Sequence, residues 1–210
     1  AALREQLAIE RVFAALDGWR EESDPARAEL VLRDAPRALR DGQLELVLGP
    51  SGGPPRAHTS PFVLDRSHPL LAGVALEGVG WRSGSSDVPG HVLVAAGDKV
   101  LVGEEWPDAG RRVWIDVDGA AGNVVRAPDW PILFANALEL GRRAAPGLVV
   151  HDLQVGDELV YRHDGDAALA VVCPDGAELA RAAGGEVRCA ATRPGLYRVV
   201  AADGAELAVA

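Results

Sequence analysis

The sequence predicts an α/β layer structure followed by a small antiparallel β-sandwich, and three observations predict it. Short apolar runs ending in Gly or Pro recur between residues 28 and 119, the pattern of strands buried on both faces. One strong helical period covers residues 130–141. From about Leu153 every periodic segment alternates with period two and ends in a turn dipeptide, which marks short strands of a sandwich.

Taken in order, "LREQLAIERVFAALDGW" places Ile9, Val12, Phe13 and Leu16 at helical spacing, with Gly18 near its end. The runs "AELVLRD" (28–34) and "QLELVLGP" (43–50) read as buried strands, and a loop rich in Gly, Pro and Ser follows to about Pro61. Three more strands are expected in "HVLVAAG" (91–97), "KVLVGEEW" (99–106) and "RRVWIDVDG" (111–119), the first two joined at Gly97-Asp98 by a tight hairpin turn. Trp130, Leu133, Phe134, Ala137, Leu138 and Gly141 then fall on one helical face. Asp129 suits the N-cap, Pro131 the first turn, and Arg142 and Arg143 the negative end of the helix dipole. The turn signals Asp164-Gly165, Pro174-Asp175-Gly176, Gly184-Gly185, Pro194-Gly195 and Asp203-Gly204 punctuate the remainder. A linker at Pro146-Gly147 divides the chain into an α/β domain over 1–146 and a β-sandwich module over 147–210.

Composition narrows the function classes. The formal charge is −10, from 21 basic and 31 acidic residues spread along the chain, a surface that repels phosphate backbones and anionic lipids. Nucleic-acid binding is therefore not expected. No run of about 18 apolar residues offers direct membrane insertion, and no signal-peptide layout opens the chain. Lys99 is the only lysine among the basic residues and methionine is absent; the missing start Met points to a segment of a longer polypeptide. Cys173 and Cys189 lack zinc-site spacing. Buried thiols are the plainer reading, and a bridge between neighbouring strands is the sharper one.

Gly49-Pro50-Ser51-Gly52-Gly53 fits G-x-S-x-G, the turn that presents the nucleophile of many serine hydrolases. That elbow needs a strand before the serine and a helix directly after it. The strand is expected, but Pro54, Pro55 and Pro61 leave no room for the helix. Asp116 or Asp118 with His151 would complete a triad in chain order, a choice many sequences offer. For a divalent cation the candidates are Asp116 and Asp118, with Asn123, in "DVDGAAGN", which lacks the EF-hand layout. Asp65 with His68, and His151-Asp152 with His163-Asp164, are the other local clusters, and solvated turns explain them. The five tryptophans, at 19, 81, 106, 114 and 130, are accounted for by core packing. No cofactor is implied.

Four segments carry a family resemblance: "DRSHPLLAGVALEGV" (65–79), "GRRVWIDVDGAAGNVVRAPDWPILFANALEL" (110–140), "LQVGDELVYR" (153–162) and "RPGLYRV" (193–199). Together they resemble the C-terminal half of BatA-type bacterial membrane proteins, aerotolerance-related proteins that contain a von Willebrand factor A domain. The resemblance runs from about residue 44 onward and is most specific between Ala127 and Leu140. It implies a flavodoxin-like, class I glutamine amidotransferase-like three-layer domain followed by a β-sandwich. It also implies a soluble segment of a membrane-anchored parent, with an extracytoplasmic position open. Amidotransferases use a cysteine nucleophile at a strand-to-helix elbow, and no cysteine precedes Cys173 here. The cation-binding motif D-x-S-x-S of A domains is also absent.

The leading expectation is a non-catalytic interaction or scaffolding segment that engages a protein partner. A serine hydrolase using Ser51 is the second, and a carbohydrate- or peptide-binding module on the C-terminal sandwich the third, by architectural analogy.

Overall fold

A computed structural model describes residues 5–107, 109–144, 147–149, 153–163, 168–183 and 185–210. The chain divides into two compact units, Ala1–Ala144 and Ala145–Ala210. No helix among the described residues is long and apolar enough to cross a membrane.

In the first unit, helix α1 (Ile9–Ala14) precedes strands β1 (Leu30–Arg33), β2 (Leu44–Gly49), β3 (Arg56–Thr59), β4 (Val63–Leu64) and β5 (Gly80–Ser83). Strands β6 (His91–Ala96), β7 (Lys99–Glu105) and β8 (Arg111–Asp116) follow, then helix α2 (Asp129–Ala144). Six strands form one sheet in the order β1-β2-β8-β7-β6-β4, while β3 and β5 pair as a separate ribbon. The neighbours β1, β2 and β8 are parallel. Strands β7, β6 and β4 continue the sheet antiparallel. The hairpin expected at Gly97-Asp98 is present, with Ala96 opposite Lys99 and Gly97 at φ 62°.

Register decides what each face carries. Leu46 and Leu48 of β2 lie beside Val113 and Ile115 of β8, and all four join one apolar core with Trp130, Leu133, Phe134 and Ala137 of α2. Each of the Leu, Val, Ile and Phe side chains among them contributes about 1.5–3 kcal/mol by leaving water. Phe134 meets Trp130 and Phe13 edge-on, with centroids 5.1 and 5.8 Å apart. Helix α2 also holds the segment before β5 by its polar side chains. Asn136 Nδ2 donates to the carbonyls of Leu70 and Ala72 at 2.9 and 2.8 Å, and Asp129 Oδ1 accepts from the Ala75 N–H at 2.6 Å. The sequence expects Asp129 to cap its own helix; its carboxylate instead fastens a neighbouring loop.

The expectation of a flavodoxin-like, amidotransferase-like three-layer α/β domain is overturned. Among the described residues the molecule is mostly β-strand, in several sheets, with α1 and α2 as its short helices. A three-layer fold places helices on both faces, as crossovers between parallel strands. Here the β1–β2 connection is too short for a helix layer, and the β2–β8 connection is itself made of strands β3 to β7. On the face opposite α2, the loop that carries Arg37 lies against Glu45 and Arg112. Glu45, which alternates with Leu44 and Leu46, is 0 % exposed on that face. It accepts from Arg112 Nε at 2.5 Å and pairs with Arg33 Nε at 3.1 Å. Arg112 also donates to Glu105 at 2.8 Å and to the Arg37 carbonyl. Burial works against the Arg112 charge, but its bonds to Glu45 and Glu105 outweigh that and hold its pKa above the ordinary value. A helix cannot lie where residues 34–40 close over this ionic cluster.

In the second unit the described residues form seven strands in two antiparallel sheets. They are β9 (Gly147–Leu148), β10 (Glu158–Arg162), β11 (Ala168–Val172), β12 (Glu178–Ala183), β13 (Glu186–Ala190), β14 (Arg198–Ala201) and β15 (Glu206–Val209). One sheet has the order β13-β10-β9 and the other β12-β11-β14-β15. Leu159, Tyr161 and Val187 from the first and Leu169, Val171 and Val199 from the second enclose one core. Tyr197, just before β14, donates from its hydroxyl to the Arg193 carbonyl at 3.0 Å and accepts from the Arg193 N–H at 2.9 Å. This clasp of a hydroxyl on backbone four residues upstream resembles the tyrosine corner of immunoglobulin-like sandwiches. Cys173 follows β11 and Cys189 lies on β13, so the cysteines belong to different sheets. Both are free thiols here, Cys173 buried and Cys189 half-buried, and they do not lie on neighbouring strands of one sheet.

Candidate functional site

Strands β2 and β8 end side by side, with Gly49 opposite Asp116, and Ser51 leaves the sheet at this carboxyl edge. That is where sheets with parallel strands commonly keep their ligand sites. No helix follows Ser51: the chain turns through residues 52–55 and enters β3. Without a helix N-terminus the elbow loses the dipole and the aligned amides that stabilise an oxyanion.

The carboxylate of Asp116, 2 % exposed, organises the edge. Its Oδ1 accepts the backbone N–H groups of Ser51 and Gly84, each at 2.8 Å. Its Oδ2 accepts the Ser51 hydroxyl at 2.5 Å and forms an ion pair with Lys99 Nζ at 2.6 Å. The Asp116 carbonyl takes the Trp81 indole N–H at 2.6 Å. Lys99, 4 % exposed, has three ammonium protons and three partners: Asp116, the Ser86 carbonyl and Ser51 Oγ at 3.3 Å. Ser51 Oγ also lies 2.6 Å from the Ser86 carbonyl. The 84–86 segment is stitched to the Ser51 loop through Gly52, whose carbonyl accepts the N–H groups of Ser85 and Ser86 and the Ser86 hydroxyl. Contact is so close at Gly84 that a Cβ there would lie 1.5 Å from the Ser51 carbonyl oxygen.

His58 on β3 borders this cluster. Its Nε2 is 3.0 Å from Ser83 Oγ, and Ser83 spends its own proton on the Gly84 carbonyl at 2.8 Å. The imidazole is therefore assigned the tautomer with the proton on Nε2. Burial and the adjacent Lys99 charge lower the His58 pKa below the ordinary histidine value, against a smaller opposing effect of Asp116.

The other sequence candidates are drawn elsewhere. Asp118 pairs with Arg82 Nε at 3.4 Å and accepts the Ala120 N–H at 3.1 Å. Asn123 bonds Gly80 at the start of β5 and Gly78 just before it. Asp116, Asp118 and Asn123 thus serve three separate sets of partners. Among the described residues no group of three or more His, Cys, Asp or Glu is arranged to hold a metal ion. Asp65 accepts from Ser67 and from His91, contacts that pull its pKa down to about 2. His68 instead faces Glu104, with Nε2 3.1 Å from Oε2, and accepts the Leu70 N–H on Nδ1. Asp65 and His68 do not converge. His151, Asp152 and Asp164 lie outside the described residues.

Sequence reasoning missed Lys99, Gly84 and Ser86 as parts of the Ser51 environment. A signal for Lys99 was present: one lysine survives in a chain that otherwise uses arginine. Its position just after the Gly97-Asp98 turn also brings it to the sheet edge. The Gly84–Ser51 contact, across 33 residues of chain, has no signature in either segment alone.

In the second unit a cavity of about 200 Å³ lies beside Tyr197, Leu153 and Pro194. It is smaller than the roughly 300–1,000 Å³ of typical small-molecule sites. No family model, curated protein or solved structure matches the chain.

Proposed function

We propose that the chain is a non-catalytic interaction segment of a larger, membrane-anchored bacterial protein. The membrane-anchored parent is the part that the BatA-type sequence resemblance suggests. The observation that carries the non-catalytic reading is the saturation of Asp116. It accepts the Ser51 hydroxyl, two converging backbone N–H groups and the Lys99 ammonium. Those are the donors that acyl transfer would need to leave available for base, nucleophile and oxyanion. With the edge committed to holding loops together, a folded acidic segment acts through its surface, and a protein partner is the fitting class.

A Ser51 hydrolase draws on one observation, the 3.3 Å approach of Lys99 Nζ to Ser51 Oγ. A lysine base needs a free lone pair on nitrogen. Lys99 Nζ is held by the Asp116 carboxylate at 2.6 Å and is placed as a donor to Ser51 Oγ.

A fluorophosphonate probe and a p-nitrophenyl ester test the proposal on the intact chain. The expected result is no labelling, and ester turnover equal in the native chain and the Ser51→Ala variant. Probe attached to Ser51, together with turnover lost in Ser51→Ala, overturns it in favour of the hydrolase.

A further inference from the structure

We propose that Cys173 and Cys189 are an oxidisable pair that closes into an intramolecular disulfide across the two sheets of the second unit, by exchange with a small-molecule disulfide. The strand register carries the inference. Cys189 stands directly opposite Leu159 in the β10–β13 ladder, and Leu159 is wholly buried. Opposed residues in an antiparallel pair share a face, so Cys189 points into the sandwich. Along the other sheet Leu169 and Val171 of β11 point inward, both 0 % exposed, and Cys173 continues that alternation at 6 % exposed. Both thiols pack against the same core.

The two sheets also come close at the strands concerned. Cα atoms of β11, the strand that Cys173 directly follows, and of β13, which carries Cys189, approach within 8 Å of each other. Immunoglobulin-type sandwiches bridge their sheets by a disulfide buried in this way. Burial pushes the Cys189 thiol pKa up, and the proximity of Cys173 raises it further.

Cys189 is the more exposed of the two and reacts first. It loses its proton, and its sulfur attacks one sulfur of oxidised glutathione, forming a mixed disulfide and expelling one glutathione thiolate. Cys173 then loses its proton and attacks the Cys189 sulfur, and the second glutathione leaves. Two protein S–H bonds and one glutathione S–S bond are broken, and one protein S–S and two glutathione S–H bonds form. Two electrons pass from protein to glutathione.

The test uses the reduced, folded full chain incubated with oxidised glutathione, quenched in acid, then alkylated in denaturant and weighed intact. The expected product is a monomer lighter by two hydrogens, unreactive to alkylation at both positions and restored by dithiothreitol. Peptide mapping should join Cys173 to Cys189, and Cys173→Ser should stop at the glutathione adduct on Cys189. A stable adduct on native Cys189 with Cys173 still free, disulfide-linked dimers, or two unreacted thiols each overturn the proposal. These readouts come from the native sequence and do not depend on how well the variant folds.

Discussion

Asp116 Oδ2 lies 2.6 Å from Lys99 Nζ, and both side chains are almost fully withdrawn from water. The pair links the end of β8 to the start of β7, and through Ser51 and Gly84 it also fixes two loops. Breaking a buried pair by removing one partner leaves the other charge uncompensated. Lys99→Met is expected to lose about 3–5 kcal/mol of stability, measured by urea unfolding. Asp116→Leu in the same background should cost little for charge but should still lose the two backbone bonds. A Lys99→Met variant as stable as the native chain contradicts the clasp.

Gly84 is confined by sterics, since an alanine Cβ would sit 1.5 Å from the Ser51 carbonyl oxygen. Gly84→Ala is therefore expected to cost about 3 kcal/mol or more, at the upper end for overpacking. Gly78 is the internal comparison, with φ at +66° and open space around it. Gly78→Ala meets only the left-handed backbone penalty, about 1–2 kcal/mol. Denaturation midpoints of the two variants should separate clearly, and equal losses contradict the close approach.

His58 carries a pH dependence. Its pKa is lowered in the folded chain by burial and by Lys99, so below the ordinary histidine pKa the unfolded state binds more protons than the folded one. Stability from this group is full above about pH 6.5 and declines as pH falls through that value. Urea midpoints should therefore drop between pH 7 and pH 5, and His58→Gln should flatten that part of the profile. An unchanged slope in His58→Gln assigns the dependence to another group.

Tyr197→Phe removes the hydroxyl that both donates to and accepts from Arg193. The phenyl ring stays in the core, so the loss isolates the corner. About 1–2 kcal/mol is expected, read by thermal unfolding of the second unit.

How much was legible can be argued residue by residue. The alternation of Leu169, Val171 and Cys173, and of Leu159 and Tyr161, is a local period-two signal, and it identifies inward positions without knowledge of pairing. The helix at Trp130–Leu140 is equally local, because its buried face repeats within a few turns. What lies on the far side of a strand is not local. Val47 and Glu45 flank Leu46 in a run that reads as buried, yet nothing in the run says whether helices or loops provide the cover. The loop carrying Arg37 provides it, and the three-layer expectation fails there. The Ser51 motif was legible as a loop without a following helix, because prolines act on their own neighbours. Its partners Lys99 and Asp116 come from β7 and β8, and long-range register alone brings them to it.

The division at residue 144 has a spectroscopic consequence. All five tryptophans precede it, and both tyrosines, Tyr161 and Tyr197, follow it. Indole emission excited at the red edge therefore reports only on the first unit, and the tyrosine absorbance difference reports mainly on the second. A single unlabelled sample thus shows whether the two units melt together or one after the other, and to which of them each substitution above belongs.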